Sequence, residues 1–362
     1  MMLGIDISRL RGPRTGVGRY LERILAAWAE QPLPFDDVRL FSPEPVNDLP
    51  SDPTFQIEVL PARTDGIWWQ TVRLAPAAQS VDLFFAPYTL PPRLRPPSVV
   101  ANLGILGGPN PVRGLRARAR DLHAAESARH ADVVITQSEA TRRDLERYYR
   151  VEPQALRVVH AGVDALFRPA RAKEAESLEA EAARIVGIRS PYLLFVGKIS
   201  ERRHLPALLD AFAELRRDRH ELSLLVVGPS GGRTQPERDG VQHVPYLDQT
   251  GLATLYRGAS AFVLPTVQEG FSFTILEALA SGCPVVTVDH AALDEGGVRD
   301  AVLWVARPTP VELRGAIERV LDDPSLRAGL RERGLAVAST FDWTATARET
   351  MAILADVAGR TR

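Results

Sequence analysis

Two kinds of hydrophobic pattern alternate along this chain. Short, continuous apolar runs recur in the first half: LGIDIS (3–8), VRLFSP (38–43), LFFAP (83–87), SVVANLG (98–104), VVITQS (133–138) and LRVVHAG (156–162). The second half has YLLFVGK (192–198), LLVVG (224–228), HVPYL (243–247), FVLPT (262–266), PVVTV (284–288) and VLWVA (302–306). Runs that are apolar throughout, rather than at alternate positions, suit strands covered on both faces of a parallel sheet. Between them lie stretches with helical spacing, such as HLPALLDAFAELRRD and LATLYRGAS. Strand and helix in alternation predict an α/β chain with enough strands for two sheets.

Residues 168–190, RPARAKEAESLEAEAARIVGIRS, break the pattern with many charges and few large apolar groups. They predict a linker that includes a surface helix, dividing the chain into 1–167, 168–190 and 191–340, with 341–362 left as a terminal helix. A doubly wound domain is expected on each side of the linker. Such folds bind ligands beyond the carboxyl ends of their strands, where strand order reverses. Two facing domains would put one ligand site in a cleft.

Length and composition change this picture little. The 362 residues are ample for two cores, and 45% apolar with 25% charged is a soluble globular mix. A net charge of −1 gives no global field for nucleic acid, so no nucleic-acid partner is expected. A single cysteine, Cys283, forms no internal disulfide and suits a reducing cytoplasm. The opening MMLGIDISRL carries Asp6 and Arg9 where a signal peptide needs an unbroken apolar core. No apolar run reaches the roughly 18 residues of a membrane span. A cytoplasmic protein is expected, with peripheral contact at the inner face of the membrane left open.

Three stretches carry candidate chemistry. GPRTGVGRY (12–20) follows the first strand, and Gly16 and Gly18 can take positive φ and let backbone N–H groups approach a ligand. The next helix would point its N-terminus at the same spot. The dinucleotide fingerprint is not met, because its third glycine would fall on Leu21, and no P-loop triplet occurs. A plain strand-to-helix turn explains the loop equally well. VGKISERRHL brings Lys198, Arg202 and Arg203 to a strand's carboxyl end, which suits phosphate or a solvated charged turn. EGFSFTILEA (269–278) places Glu269 in a loop and Glu277 early in a helix starting near Ser272 or Phe273. Free N–H groups there suit a diphosphate, and the two carboxylates suit paired hydroxyls. Two acids complementing a helix dipole is the plainer reading, but it leaves Gly270 and an exposed Phe271 unexplained.

Other signals are weak. The histidines show no His-x-x-x-His metal spacing, and Cys283 reads as a buried small hydrophobe. The basic stretch 113–131 reads as a solvated face, or as contact with an acceptor or a membrane surface.

Together these stretches resemble the family 4 retaining glycosyltransferases of the GT-B fold: two doubly wound, Rossmann-like parallel-sheet domains facing across a cleft. LYRGASAFVLPTVQEGFSFTILEALASGCPVV (255–286) carries the most specific part, with support from TGVGRY, SEATRRDL, HAGVDALFRP and FDWTATARETM. The resemblance implies transfer of a hexose, mannose by analogy with polysaccharide-building members, from a UDP- or GDP-linked sugar to a hydroxyl of a glycan, lipid or small-molecule acceptor. It implies that Glu269 contacts the donor sugar and Glu277 the ribose. Lys198 and Arg203 would clamp the diphosphate, with Arg202 beside them. Gly16, Gly18, Gly270 and the amides around Phe271 and Ser272 would complete the site. The terminal helix would cross back to the first domain. No metal and no cofactor beyond the donor are implied, since cations and N–H dipoles do that work.

Two departures stand out. Leu103 and Gly104 occupy the places where the family often has a His-Asp pair, and Ser272 and Thr274 stand where Gly and Pro are common. The missing pair keeps a second reading alive, a catalytically silent nucleotide-sugar-binding protein. A third, an NAD-dependent α/β oxidoreductase, is disfavoured by Leu21.

Overall fold

The computed structural model describes residues 1–12, 16–62, 66–105, 114–188, 191–229 and 238–360. The chain forms two compact units, one of residues 1–162 and 342–362 and one of residues 163–341.

The first unit is built on a seven-stranded parallel sheet. Its strands are β1 (Met2–Asp6), β2 (Asp37–Ser42), β3 (Phe55–Val59), β4 (Leu83–Ala86), β5 (Ser98–Asn102), β6 (Val133–Thr136) and β7 (Leu156–Val158). They lie in the order β3-β2-β1-β4-β5-β6-β7. The direction of addition therefore reverses between β1 and β4. Residues of β4, β5 and β6 are buried throughout, as continuous apolar runs require. β3, FQIEV, lay outside the expected strands because it is an edge strand with two half-buried and three exposed residues.

Helix α1 (Gly16–Trp28) and helix α2 (Leu115–His130) belong to this unit. So does the chain's last helix, which joins across a long sequence separation. Trp28 Nε1 donates to Ala347 O at 2.9 Å, and Thr346 Oγ1 donates to His160 O at 2.7 Å. A Cβ added at Gly162 would lie 2.2 Å from Trp343 N, so only glycine admits this approach.

The second unit holds a six-stranded parallel sheet: β8 (Tyr192–Val196), β9 (Ser223–Val227), β10 (Val241–Val244), β11 (Ala261–Leu264), β12 (Val285–Val288) and β13 (Leu303–Val305). The order β10-β9-β8-β11-β12-β13 reverses between β8 and β11. Helix α3 (Leu205–Asp218) follows β8, and helix α4 (Phe273–Ala280) follows β11. Residues 168–190 contribute to this unit. Their helix Leu178–Val186 buries Ala182 and Val186 and packs against helix Gln249–Gly258. The terminal helix is α5 (Trp343–Gly359), with Asp342 accepting hydrogen bonds at its N-terminus.

Candidate functional site

The reversal between β8 and β11 brings two loops together at the carboxyl ends of the sheet, where an open α/β sheet binds its ligands. The first is the loop 197–204. Gly197 has φ 143°, and an added Cβ would lie 1.2 Å from Arg203 Nη1. Glycine is therefore required twice, for its backbone and for the space its missing side chain gives the guanidinium. Arg203 fills that space and donates from Nη1 to Val196 O at 3.2 Å. The second loop, 265–272, is fastened to the first. Arg202 O accepts from Val267 N at 3.2 Å, and Arg202 Nη1 donates to Gln268 O.

Both arginines converge on one carboxylate. Glu269 Oε1 is 2.8 Å from Arg202 Nη1 and 3.2 Å from Arg203 Nη2. Glu269 and Arg203 are nearly buried, while Arg202 is 42% exposed and so offers its remaining N–H groups outward. Burial pulls the Arg203 guanidinium below its ordinary value, and the Glu269 carboxylate opposes that pull. Lys198 stands exposed on the same loop and has no ion pair among the described residues.

Polar atoms without partners occur on these loops and on the one after β12. Ser200 Oγ, Arg203 Nε, Ser272 Oγ and both ring nitrogens of His290 are buried and make no hydrogen bond. They come from the loops after β8, β11 and β12. Buried polar groups are normally satisfied, so atoms of this kind are what a polar ligand would satisfy. His290, two residues beyond β12, was not a sequence candidate. Burial pushes its imidazole down to about 4, with Glu269 the first of the charges opposing this. Its position after a strand's carboxyl end was the signal that could have found it.

Helix α4 begins at Phe273 behind Ser272, whose φ of 59° and ψ of 58° are left-handed. That is the conformation glycine adopts without strain, and it explains the significance of a serine at this point. Glu277 lies in the second turn, buried at 4% exposure, and Tyr256 OH donates to its Oε2 at 3.3 Å.

Two expectations need correction. Phe271 is 6% exposed, and packs edge-on against Phe273 at 5.3 Å and Phe341 at 5.7 Å. Its side chain belongs to the core, which leaves only its backbone for a ligand. Gly18 does not take positive φ: α1 has already begun at Gly16, and Gly18 is buried in its first turn. Pro13, Arg14 and Thr15 of that loop, and Arg113 of the basic stretch, lie outside the described residues. Among the described residues, no cluster of three or more His, Cys, Asp or Glu side chains could hold a metal, and no helix is long and apolar enough to cross a membrane.

Residues 14–165 match the family model "Glycosyltransferase Family 4", and residues 190–323 match "Glycosyl transferases group 1". The chain belongs to the family 4-like glycosyltransferases. Among curated members it is 33% identical over 251 residues to a D-inositol 3-phosphate glycosyltransferase of Kineococcus radiotolerans, covering 62% of this chain and 57% of the relative. A D-inositol 3-phosphate glycosyltransferase of Acidothermus cellulolyticus is 32% identical over 73% of this chain and 61% of its own length. The chain thus spans about three fifths of these relatives. The GT-B fold of this chain is shared with solved structures. Sucrose-phosphate synthase from Thermosynechococcus elongatus superposes with a TM-score of 0.76 at 19% identity, covering 98% of both chains. HepE from Anabaena, solved with UDP-glucose, gives 0.73 at 17% identity, covering 98% of this chain and 99% of its own.

Proposed function

We propose that this protein transfers a hexose, with retained configuration, from a UDP- or GDP-linked sugar to a hydroxyl-bearing acceptor. The observation that carries the reading is the Glu269 carboxylate held by Arg202 and Arg203 at the β8/β11 reversal, on loops that carry unpartnered polar atoms. The diphosphate lies against Lys198 and the outward N–H groups of Arg202, with the Arg203 guanidinium behind them, and these cations stabilise charge on the departing phosphate. Glu269 accepts hydrogen bonds from the sugar hydroxyls, its second oxygen being free of the arginine contacts given above. Amides at Gly270 to Ser272 face the phosphates, and Glu277 accepts from the ribose hydroxyls. The departing phosphate oxygen takes the acceptor's proton, so the step needs neither an enzymic nucleophile nor a metal.

Mannose is the sugar we favour, from the resemblance of the N-terminal stretch to polysaccharide-building members. A thermal-shift screen over UDP-, GDP- and ADP-sugars tests the reading. A donor present at 100 times its dissociation constant adds about 2.7 kcal/mol of stability. A screen in which no nucleotide sugar shifts the melting temperature would refute the proposal.

A further inference from the structure

At the amino ends of β6 and β7 an open cavity of about 490 Å³ is lined by four arginines, Arg129, Arg150, Arg157 and Arg360, and by two carboxylates, Asp132 and Glu152. Several elements contribute. Arg129 is in the last turn of α2, Arg150 follows the helical segment Leu145–Tyr149, Arg157 is on β7, and Arg360 follows α5. All lie in the first unit.

Two of the guanidiniums are held by backbone carbonyls. Arg157 Nη1 donates to Gln154 O at 2.7 Å and to Leu156 O at 2.8 Å, and Arg129 Nη1 donates to Tyr149 O at 3.1 Å. A guanidinium already fixed loses less freedom when its remaining N–H groups meet a ligand. Arg129 and Arg360 each pair with an acid on their own helix, Glu126 and Asp356. Asp132 is engaged as well, accepting from Ser98 N at 2.8 Å. Arg150 differs. Its side chain has no hydrogen bond or ion pair among the described residues. Its φ of 56° is the left-handed turn that ends the helical segment, where glycine or asparagine is the usual residue. An arginine at this point adds backbone strain and supplies a guanidinium with no protein partner.

We infer that this cavity binds a phosphate group, free or esterified to a small polar molecule, with Arg150 and Arg157 as its main donors. Guanidinium forks match phosphate oxygens, and an anion relieves the mutual repulsion of four like charges. The cavity has the size of a small-molecule site, which leaves room for an organic portion beside the phosphate. Its concave form favours a small anion over a bilayer surface. A bound phosphate joins the end of α5 to α2 and to the edge strand β7, and so stabilises the first unit. The inference does not use the transfer reaction and stands or falls apart from it.

The probes are inorganic phosphate, pyrophosphate and glucose 6-phosphate, titrated by calorimetry into the full chain at constant ionic strength. Glucose is the uncharged comparison, and phosphatidylglycerol vesicles are the surface comparison. At least one phosphate should bind and raise the melting temperature, and glucose should do neither. Equal binding of phosphate and glucose 6-phosphate marks a free-ion site; glucose 6-phosphate alone marks an ester site. Arg150→Asn removes an unpaired side chain and suits the left-handed backbone, so the fold should persist. The anion's Kd should rise about tenfold, the loss of one charge-assisted contact. Arg150→Lys should fall between the two, because it keeps the charge without the fork. Lys198 and Arg202 in the second unit also suit phosphate, so Arg202→Gln is the control and should leave that Kd unchanged. Phenylglyoxal labelling reads the location directly: in the wild type the anion should protect Arg150 and Arg157. No binding of any phosphate, an unchanged Kd in Arg150→Asn, a Kd that moves in Arg202→Gln instead, absent protection of Arg150, or binding to the vesicles alone would overturn the inference.

Discussion

The two sheets reverse strand order in the same way, yet the side chains at the two reversals differ in kind. In the second unit the reversal gathers charge: Arg202 and Arg203 on Glu269, with Lys198 exposed beside them. In the first the centre is an amide, Gln70, which joins Asp6, Thr89 and His123, and the charged Arg9, Arg120 and Asp121 act on Asp6 and Tyr88 from around it. Even Asp6 is held toward its neutral form, because burial raises its carboxyl above the ordinary range while hydrogen bonds from Ser8 oppose. One topology thus carries two different groups of polar side chains, and the residues alone decide their chemistry.

The largest expected effect breaks the charged side of this comparison. Glu269→Ala removes the acceptor for sugar hydroxyls and the anion that both arginines share. Hydrogen bonds to a charged group are worth roughly 1.5–3 kcal/mol each. Turnover should fall on the order of 10²–10⁴-fold, with a smaller loss of free UDP or GDP affinity. Steady-state kinetics beside nucleotide titration checks this. Equal losses in both would place Glu269 on the nucleotide rather than on the sugar.

The two groups also differ in how far they can be read from sequence, and the reason is chain distance. Arg202, Arg203 and Glu269 lie in two short loops, one of which carries a recurring pattern that also includes Glu277. Asp6, Gln70 and His123 stand 64 and 53 residues apart and meet only through folding. In the sequence, Asp6 counts only as a charge interrupting an apolar start. Continuous apolar runs marked the buried strands, whereas β3 alternates and stayed hidden. Phe271 looked exposed because its partner Phe341 is distant in sequence. The start of α1 was obscured because glycines read as loop, although Gly18 is helical.

A middle-sized effect separates the two histidines. His290 is 6% exposed, with its imidazole pushed from 6.5 down to about 4 by burial. The unfolded chain takes up a proton as pH falls through 6.5, and the folded chain resists until about 4. Stability is therefore full above pH 6.5 and declines as pH falls to about 4, by about 3 kcal/mol in all. His290→Leu should remove that slope, raising the melting temperature at pH 5 more than at pH 7.5. His123→Gln should change the slope less, because His123 is half-buried and hydrogen-bonded. Calorimetry across that range decides it: parallel slopes for wild type and His290→Leu would mean that the folded protein admits a proton at His290.

The smallest effect concerns Ser272, where the charged site holds strain. Its left-handed backbone costs a non-glycine residue roughly 1–2 kcal/mol. Its hydroxyl, buried without a partner, adds a desolvation cost rather than relief. Ser272→Gly should therefore stabilise the protein by about 1 kcal/mol despite glycine's greater freedom when unfolded. If the hydroxyl serves the donor, the same change should weaken nucleotide-sugar binding by less than about tenfold. Stability and affinity would then move in opposite directions. That outcome would make Ser272 a residue retained for ligand binding at the expense of the fold. A variant that loses stability would show instead that contacts of the serine Cβ outweigh the backbone strain.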